Sequence, residues 1–192
     1  DANSDNTYSV DYRLSGATGW TNWVTATTHV ASPFVTTITG LAANTTHYVR
    51  VRSVNATGTQ PTNSPTGSGS TAPAIPNAPT FASIAPTSLT VNWSAVTGAT
   101  GYRVERAPDV AGAAGTYAEI GAPATNTFPD SGLTAGTIYW YRIRSFSTAG
   151  VSTAGLGASV TTVAAGPPGA PGTPTYSGVT TSSITVNWTA AS

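Results

Sequence analysis

The sequence predicts an all-β fold, a sandwich or barrel of short antiparallel strands, and three observations lead to this prediction. Apolar and polar residues alternate in short runs, which is the pattern of strands with one face in a core. Gly, Pro, Asn and Ser interrupt these runs about every 8 to 12 residues, as in sandwiches and barrels. No stretch shows the periodicity of an amphipathic helix.

Four segments show the strand pattern most clearly, and they form two similar pairs. Residues 7–14 (TYSVDYRL) and 101–107 (GYRVERA) alternate Tyr and Val with polar or charged residues. Residues 46–54 (THYVRVRSV) and 138–146 (IYWYRIRSF) are longer runs of the same kind. Because successive strand residues point to opposite faces, the Tyr and Val side chains of residues 7–14 would lie in a core and the Arg and Asp side chains outside it.

An internal repeat of roughly 95 residues organises the chain. Residues 72–93 align without gaps on residues 167–188, and residues 40–53 align on residues 132–145. Such self-similarity at a fixed spacing indicates copies of one structural unit.

The repeat divides the chain into three predicted parts. Residues 72–166 contain every strand of one complete unit. Residues 1–71 contain the third to seventh strands of another unit, and residues 167–192 contain the first two strands of a further one. Because Met is absent and the first residue is Asp1, we expect the chain to be a processed or excised piece of a longer product.

The composition excludes several classes of partner. The net charge is zero, only 7% of residues are charged, and there is no Lys, so we expect no binding to nucleic acid or anionic membranes. Cys is absent, which excludes disulfides and thiol chemistry. No apolar run approaches the roughly 18 residues of a membrane span. The polar, uncharged, Thr-rich composition is typical of exported bacterial β-proteins and predicts an extracellular or cell-surface location.

These motifs resemble the fibronectin type III family, a seven-strand sandwich of the immunoglobulin-like group. Residues 75–80 (IPNAPT) are similar to the family's entry to its first strand, and residues 132–145 (GLTAGTIYWYRIRS) resemble its Leu-x-Pro-x-Thr-x-Tyr pattern, with Ala135 where Pro is usual. The fold implied is one complete sandwich flanked by two complementary partial sandwiches. The implied structural core includes Trp93, Trp188, Tyr102, Leu133, Tyr139, Leu41 and His47.

The resemblance also implies a tyrosine corner, in which the Tyr139 hydroxyl bonds to backbone near the preceding turn. His47 occupies this position in the first part, with Tyr48 following it. Either a ring nitrogen of His47 makes the corner bond or that corner is weaker. The resemblance says little about function, because the fold serves many roles.

We predict that the chain is not an enzyme and needs no cofactor. Catalysis requires convergent titratable groups, but the two His and seven carboxylates are spread over separate predicted strands and loops. His47 is predicted to be a core or corner residue and His29 a loop residue.

A weak metal candidate lies at the start of the chain. Asp1, Asn3 and Asp5 match the start of a calcium loop, but the later positions carry Asn6 and Tyr12 in place of Gly and Glu. A solvated loop is the favoured interpretation.

All seven Arg residues lie on, or at the ends of, the predicted third and sixth strands, which are neighbours in this fold. Alternation directs Arg50, Arg52, Arg142 and Arg144 outward, together with Asp11 and Glu105. Cross-strand ion pairs are the favoured interpretation. The alternative is an inter-subunit face formed by Arg50, Arg52, Arg142, Arg144, Tyr48 and Trp140.

Two Trp and two Asn residues leave alternatives open. Trp23 aligns with Tyr117 and is predicted to be structural, whereas Trp20 has no counterpart and would, if exposed, stack on a sugar or a partner. Carbohydrate binding therefore stays a weakly supported alternative. Asn44 and Asn55 begin Asn-x-Thr triplets, where glycosylation is the alternative to a chance match.

Half a sandwich would expose an apolar face and unpaired strand edges. We therefore predict that a neighbouring copy completes it. In one solution the strands are donated without a covalent link, and in the other Ser192 is joined to the Asp1 of the next copy. The donated strands carry Thr175, Tyr176, Ile184, Val186 and Trp188.

Both solutions predict a structural subunit, or one repeat period, of an extracellular filament, sheath or surface fibre. Its partners would be further copies of the chain, bound head to tail and also laterally, with no nucleic acid. The alternatives are a spacer or accessory module of a large secreted polysaccharide-degrading enzyme and a repeat of a surface adhesin.

Residues 61–79 mix flexible Gly/Ser and stiffer Pro-rich sequence, so we expect hinges of only a few residues.

Overall fold

The computed structural model of the protein describes residues 7–26, 35–54 and 65–190. All regular elements in these ranges are β-strands, which confirms the all-β prediction. The described residues contain no helix with the length and apolar character that a membrane crossing requires. The calcium candidates Asp1, Asn3 and Asp5 lie outside the described residues, as do His29 and Asn55.

The first part of the chain forms a four-stranded antiparallel sheet. Its strands are β1 (Thr7–Leu14), β2 (Thr21–Ala26), β3 (Thr46–Val54) and β4 (Gly67–Ser70). The strand order is β2-β1-β3-β4. Val10 lies opposite Val51 and Asp11 lies opposite Arg50, so one face carries apolar pairs and the other carries charged pairs.

The central part contains nine strands in two main sheets. The strands are β5 (Thr80–Ala82), β6 (Ser88–Asn92), β7 (Gly101–Val110), β8 (Ala113–Ala114), β9 (Ala118–Gly121), β10 (Thr127–Ser131), β11 (Ile138–Ser147), β12 (Gly150–Val151) and β13 (Ala158–Thr161). One sheet has the order β10-β6-β5. The other is built on the pair β7–β11, with β12 and β13 beside β11, and β8 and β9 beside β7.

The core of the central part lies between these two sheets. Alternate residues of β6 and of the β7–β11 pair point into it, because strand side chains alternate between faces. Trp93, just after β6, packs edge-on against Tyr102 with ring centroids 5.2 Å apart. The buried core residues are Leu89, Val91, Trp93, Tyr102, Val104, Leu133, Tyr141, Ile143 and Val160.

Both predicted corner residues lie on inner faces, but only one of them makes a corner bond. Tyr139 is half-buried, and its hydroxyl accepts a hydrogen bond of 3.0 Å from the Thr134 backbone N–H. His47 is buried, and its Nδ1 has no hydrogen-bond partner among the described residues. Leu41 is half-buried.

The last part is a hairpin of β14 (Thr175–Ser177) and β15 (Thr185–Asn187), which pair only with each other. Trp188, predicted to be a core residue of a sandwich that a neighbouring copy completes, is 64% exposed in the single chain. The physical reason is that no sheet among the described residues covers this hairpin. Its counterpart Trp93 lies under a sheet and is 4% exposed.

Candidate functional site

The described residues contain no cluster of three metal-ligating or acid side chains. Each of their acids already accepts a hydrogen bond from an Arg, a Trp or the backbone. These acids are Asp11, Glu105, Asp109, Glu119 and Asp130. In the described part of the chain, therefore, no carboxylate is held ready as a general base or a metal ligand.

A charged ladder covers the outer face of the first sheet. Asp11 is 1% exposed and accepts hydrogen bonds from Arg50 Nε at 2.9 Å and Arg52 Nη2 at 2.7 Å. Asn22 Nδ2 donates a third bond at 3.2 Å. Burial acts to raise the pKa of Asp11, but the bonds from Arg52, Asn22 and Arg50 outweigh it and hold the pKa below its usual value.

The central part carries the same ladder. Glu105 lies opposite Arg142 in the β7–β11 register, just as Asp11 lies opposite Arg50. Glu105 accepts hydrogen bonds from Arg142 Nε and, at 2.9 Å, from Arg144 Nε. The geometry is that of cross-strand ion pairs within one chain, and a role for these Arg residues between subunits stays a prediction.

Arginine side chains also cover the neighbouring aromatic rings. The Arg50 guanidinium lies 4.3 Å from the ring centroid of Trp20, and Arg142 lies 4.0 Å from that of Tyr117. Both distances fall within the range of cation–π contacts. Trp20 is therefore half-buried under an Arg and takes the position on the ladder that Tyr117 has in the central part.

Trp23, the sequence counterpart of Tyr117, lies on the opposite face of the sheet. Its ring meets Tyr12 edge-on at 6.1 Å. Asn22 lies opposite Asp11 and Glu119 lies opposite Glu105, so the connection between the two strands is three residues shorter in the first part. A constant sequence offset therefore does not place the two Trp residues correctly. Tyr48 and Trp140 are the two aromatic residues of the predicted inter-subunit face. The guanidinium carbon of Arg13 lies 5.1 Å from the ring centroid of Tyr48, and Trp140 Nε1 donates a 2.9 Å hydrogen bond to Asp109.

The central part contains a buried polar network that the sequence pattern does not predict. Asp130 is 7% exposed and accepts hydrogen bonds from Arg106 Nη1 at 3.0 and 2.8 Å and from the Tyr141 hydroxyl at 2.7 Å. Burial, and then the bond donated to Asp130, raise the pKa of Tyr141 well above its usual value. The available signal was that Arg106 shares the inward face of its strand with Tyr102 and Val104, and a cation there needs an acid.

Hydrogen bonds hold the segment that connects the first part of the chain to the central part. The Thr71 N–H donates to the Thr45 carbonyl and the Asn44 N–H donates to the Ala72 carbonyl, both at 2.9 Å. Thr71 Oγ1 donates to the Ala42 carbonyl at 2.6 Å. The chain between the two parts is therefore bonded to the turn that precedes β3.

The same connecting segment is also fixed to the central part. Ser145 Oγ donates a 2.6 Å hydrogen bond to the Ala74 carbonyl. Gly155 lies so close to the connection that a Cβ on it would be 2.5 Å from the Pro76 carbonyl oxygen. Across the junction, the side chain of Asn44 reaches Gly98, where an added Cβ would be 1.9 Å from Asn44 Nδ2. Residues 71–76 thus have contacts on both sides of the junction.

Known enzymes share part of this chain. Exoglucanase B of Cellulomonas fimi is 35% identical over 128 residues, which is 63% of this chain and 11% of the relative. Chitinase A1 of Niallia circulans is 37% identical over 131 residues, which is 63% of this chain and 17% of the relative. Chitinase C of Streptomyces lividans is 36% identical over 109 residues, which is 55% of this chain and 16% of the relative. The chain therefore spans less than a fifth of the length of each of these relatives.

Solved structures of lower identity are also similar. The FN1–FN3 domains of chicken CNTN1 match at 20% identity with a TM-score of 0.43, covering 83% of this chain and 57% of that one. The sixth fibronectin type III domain of human fibronectin type III domain containing protein 3 matches at 22% identity with a TM-score of 0.45, covering 53% and 96%.

The family match covers the central part of the chain. A family model described as the fibronectin type III domain matches residues 74–161. These residues include β5 to β13 and the whole two-sheet core. This central part of the chain is therefore a fibronectin type III domain.

Proposed function

We propose that the chain is a non-catalytic spacer or accessory segment of a larger bacterial enzyme that degrades polysaccharides. The observation that carries this proposal is that an exoglucanase and two chitinases share the segment. Their names specify different polymers, so the residues they have in common with this chain do not set the substrate. A part that is common to different reactions is suited to connecting or positioning other domains.

The arrangement of the acids supports a non-catalytic role. Active-site carboxylates are held near a substrate with tuned pKa values. In the described ranges the acids instead bind Arg, Trp or backbone groups of their own domain. The measurement is release of soluble sugar from cellulose and from chitin incubated with the chain. We expect none above a protein-free control, and release that rises with chain concentration would refute the proposal.

The junction supports the spacer role. A spacer sets a distance only if the connection between its units is held, and residues 71–76 are bonded to both units. The Cys-free chain allows this to be measured with spin labels at Thr18→Cys and Ala124→Cys, two exposed positions on different parts. We expect one narrow distance distribution. It should broaden when Thr71→Val removes the Thr71 hydroxyl bonds, whereas Thr125→Val, an exposed change on the central domain, should leave it narrow.

We further propose that the flanking parts are partial units of the same family. The pairing of β1 with β3 matches that of β7 with β11, with Val10–Val51 in the place of Val104–Ile143. The hairpin β14–β15 matches β5–β6, with Tyr176 opposite Val186 as Phe81 is opposite Val91. The proposed extents are residues 1–71, 72–166 and 167–192.

An extracellular location follows from the proposed role. Cellulose and chitin are insoluble polymers, so enzymes that degrade them act outside the cell. Direct sugar binding is less favoured, because the ring faces of Trp20 and Tyr117 are approached by Arg side chains. We expect the chain to remain in solution when mixed with either polymer.

A filament, sheath or surface fibre built from copies of the chain is the second candidate. One observation favours it, namely the exposed apolar side chains of the last hairpin. A repeat of a surface adhesin gains no comparable support from the part of the chain that the structure describes.

A further inference from the structure

An exposed segment, residues 164–171, follows the last strand of the central domain. Before it, the Gly136 N–H donates a 3.1 Å hydrogen bond to the Val163 carbonyl, and after it the Gly172 N–H donates one of 3.2 Å to the Thr189 carbonyl. Within the described part of the chain, residues 164–171 themselves make no hydrogen bond. Their backbone is therefore accessible along its whole length.

The sequence of this segment, AAGPPGAP, keeps it extended. Each Pro fixes its own φ and keeps the residue before it out of the helical region, which here affects Gly166 and Ala170. Gly166 does not adopt the left-handed backbone that would turn the chain back on itself. Exposed stretches of small residues are the preferred sites of proteolytic cleavage, and an extended chain can pair along a binding cleft.

The side chains of the segment decide which class of protease can cut it. Residues 163–174 contain no charged and no aromatic side chain, so proteases that select such residues find no bond there. Ala170 is followed by Pro171, whose ring replaces the N–H and hinders cleavage between them. Ala164 and Ala165 are each followed by a residue with a free N–H. A protease that selects small side chains is the class that fits.

We propose that residues 164–171 are a processing site, cut after Ala164 or Ala165 by an elastase-type protease. The reaction is hydrolysis: water adds across the amide bond, its carbonyl carbon becomes a carboxylate, and its nitrogen becomes the amino group of the second product. The cut separates the central domain from the hairpin β14–β15. This inference goes beyond the proposed spacer role and does not depend on it.

Two other Ala–Ala bonds of the chain are protected by their contacts. Ala113–Ala114 forms β8, which pairs with β7. In Ala42–Ala43, the Ala42 carbonyl accepts hydrogen bonds of 2.6 Å from Thr45 Oγ1 and from Thr71 Oγ1. Bonds held in this way are cut only in molecules that have opened locally, so their cleavage is slow. They are internal references for the exposed segment.

The central domain is complete before the proposed cut. Its last strand, β13, ends at Thr161, and the Val163 N–H donates a 3.3 Å hydrogen bond to the Ala85 carbonyl. The buried core residue nearest to the cut along the chain is Val160. Cleavage after Ala164 or Ala165 should therefore leave the core and its sheets intact.

The first test is incubation of the 192-residue chain with a low concentration of elastase, with mass spectrometry of the products over time. We expect products that begin at Ala165 or Gly166 to form at least about tenfold faster than products of cleavage within Ala42–Ala43 or Ala113–Ala114. Equal rates at the segment and at either reference bond would overturn the proposal.

A pair of proline variants tests the position of the cut. Ala165→Pro places a ring beside both proposed bonds and should slow the formation of these products by at least about tenfold. Ala170→Pro is the matched control, because it adds the same ring to the same exposed segment away from those bonds, and it should be cut as fast as the wild type. If Ala165→Pro is also cut at the wild-type rate, the proposal fails.

The second measurement is thermal unfolding of the purified product that contains the central domain, followed by circular dichroism. We expect the central domain to keep the unfolding midpoint that it has in the intact chain. A lower midpoint would mean that the segment belongs to the folded domain, and it would overturn the assignment of a processing site.

Discussion

Replacing Asp130 with Asn should destabilise the central domain by about 2 kcal/mol. Asp130 accepts two hydrogen bonds from Arg106 and one from Tyr141 while 7% exposed. Asn keeps the size of the side chain and can still accept the Tyr141 bond, but it removes the negative charge. The substitution leaves the Arg106 guanidinium, 29% exposed, without its counter-charge.

The magnitude follows from these exposures. Hydrogen bonds to charged groups contribute about 1.5–3 kcal/mol, and breaking a fully buried ion pair costs about 3–5 kcal/mol. Water reaches part of Arg106, so the lower part of this range applies. A loss of about 2 kcal/mol lowers the melting temperature of a domain of this size by roughly 10 °C.

The assay is urea and thermal unfolding of the whole chain, followed by tryptophan fluorescence and circular dichroism. Glu119→Gln is the control, because the side chains of Glu119 and Arg103 in its ion pair are 42% and 46% exposed. Losing this exposed pair should change the stability by less than about 0.5 kcal/mol. If Asp130→Asn and Glu119→Gln shift the unfolding midpoint equally, the network is not a source of stability and the reasoning fails.

Three further predictions concern pH, the corner and the junction. The folded-state pKa of Asp11 is lowered, so its contribution to the stability of the first sheet should be present above about pH 4 and disappear as the pH falls further. Acid titration followed by circular dichroism should show this loss of stability in the wild type and a smaller loss in Asp11→Asn. Tyr139→Phe removes the bond from the Thr134 N–H and should cost about 1 kcal/mol in urea unfolding, and no change would contradict a stabilising corner. Gly155→Ala should lower the free energy of unfolding by about 1–3 kcal/mol, because the added methyl group meets the Pro76 carbonyl oxygen. Gly67→Ala, where a Cβ meets nothing within 4 Å, should lower it by less than about 1 kcal/mol. Equal effects would mean that the junction adjusts to the methyl group at little cost.

Alternation and turn residues were sufficient to predict the all-β class. This pattern alone predicts strands at residues 7–14 and 46–54, and they agree with β1 and β3. The physical reason is that strand periodicity is local and direct, since every second side chain faces the core.

Features that depend on contacts between distant residues were harder to predict. The connection between β1 and β2 is three residues shorter than that between β7 and β9, so an alignment at constant offset fails there and Trp20 rather than Trp23 lies over the charged ladder. Asp130 is separated from Arg106 by 24 residues, so their pairing becomes evident only when β10 is placed beside the core. The burial of Trp188 likewise depends on a covering sheet and not on the strand that precedes it.

The two charged ladders also constrain how their strands can pair, because each acid binds two Arg residues of the neighbouring strand. Arg50 and Arg52 are two residues apart, as are Arg142 and Arg144, so both members of each pair lie on one face of the sheet. A slip of one residue would carry the acid to the opposite face, away from both guanidinium groups. The ladders therefore oppose misaligned pairing of β1 with β3 and of β7 with β11.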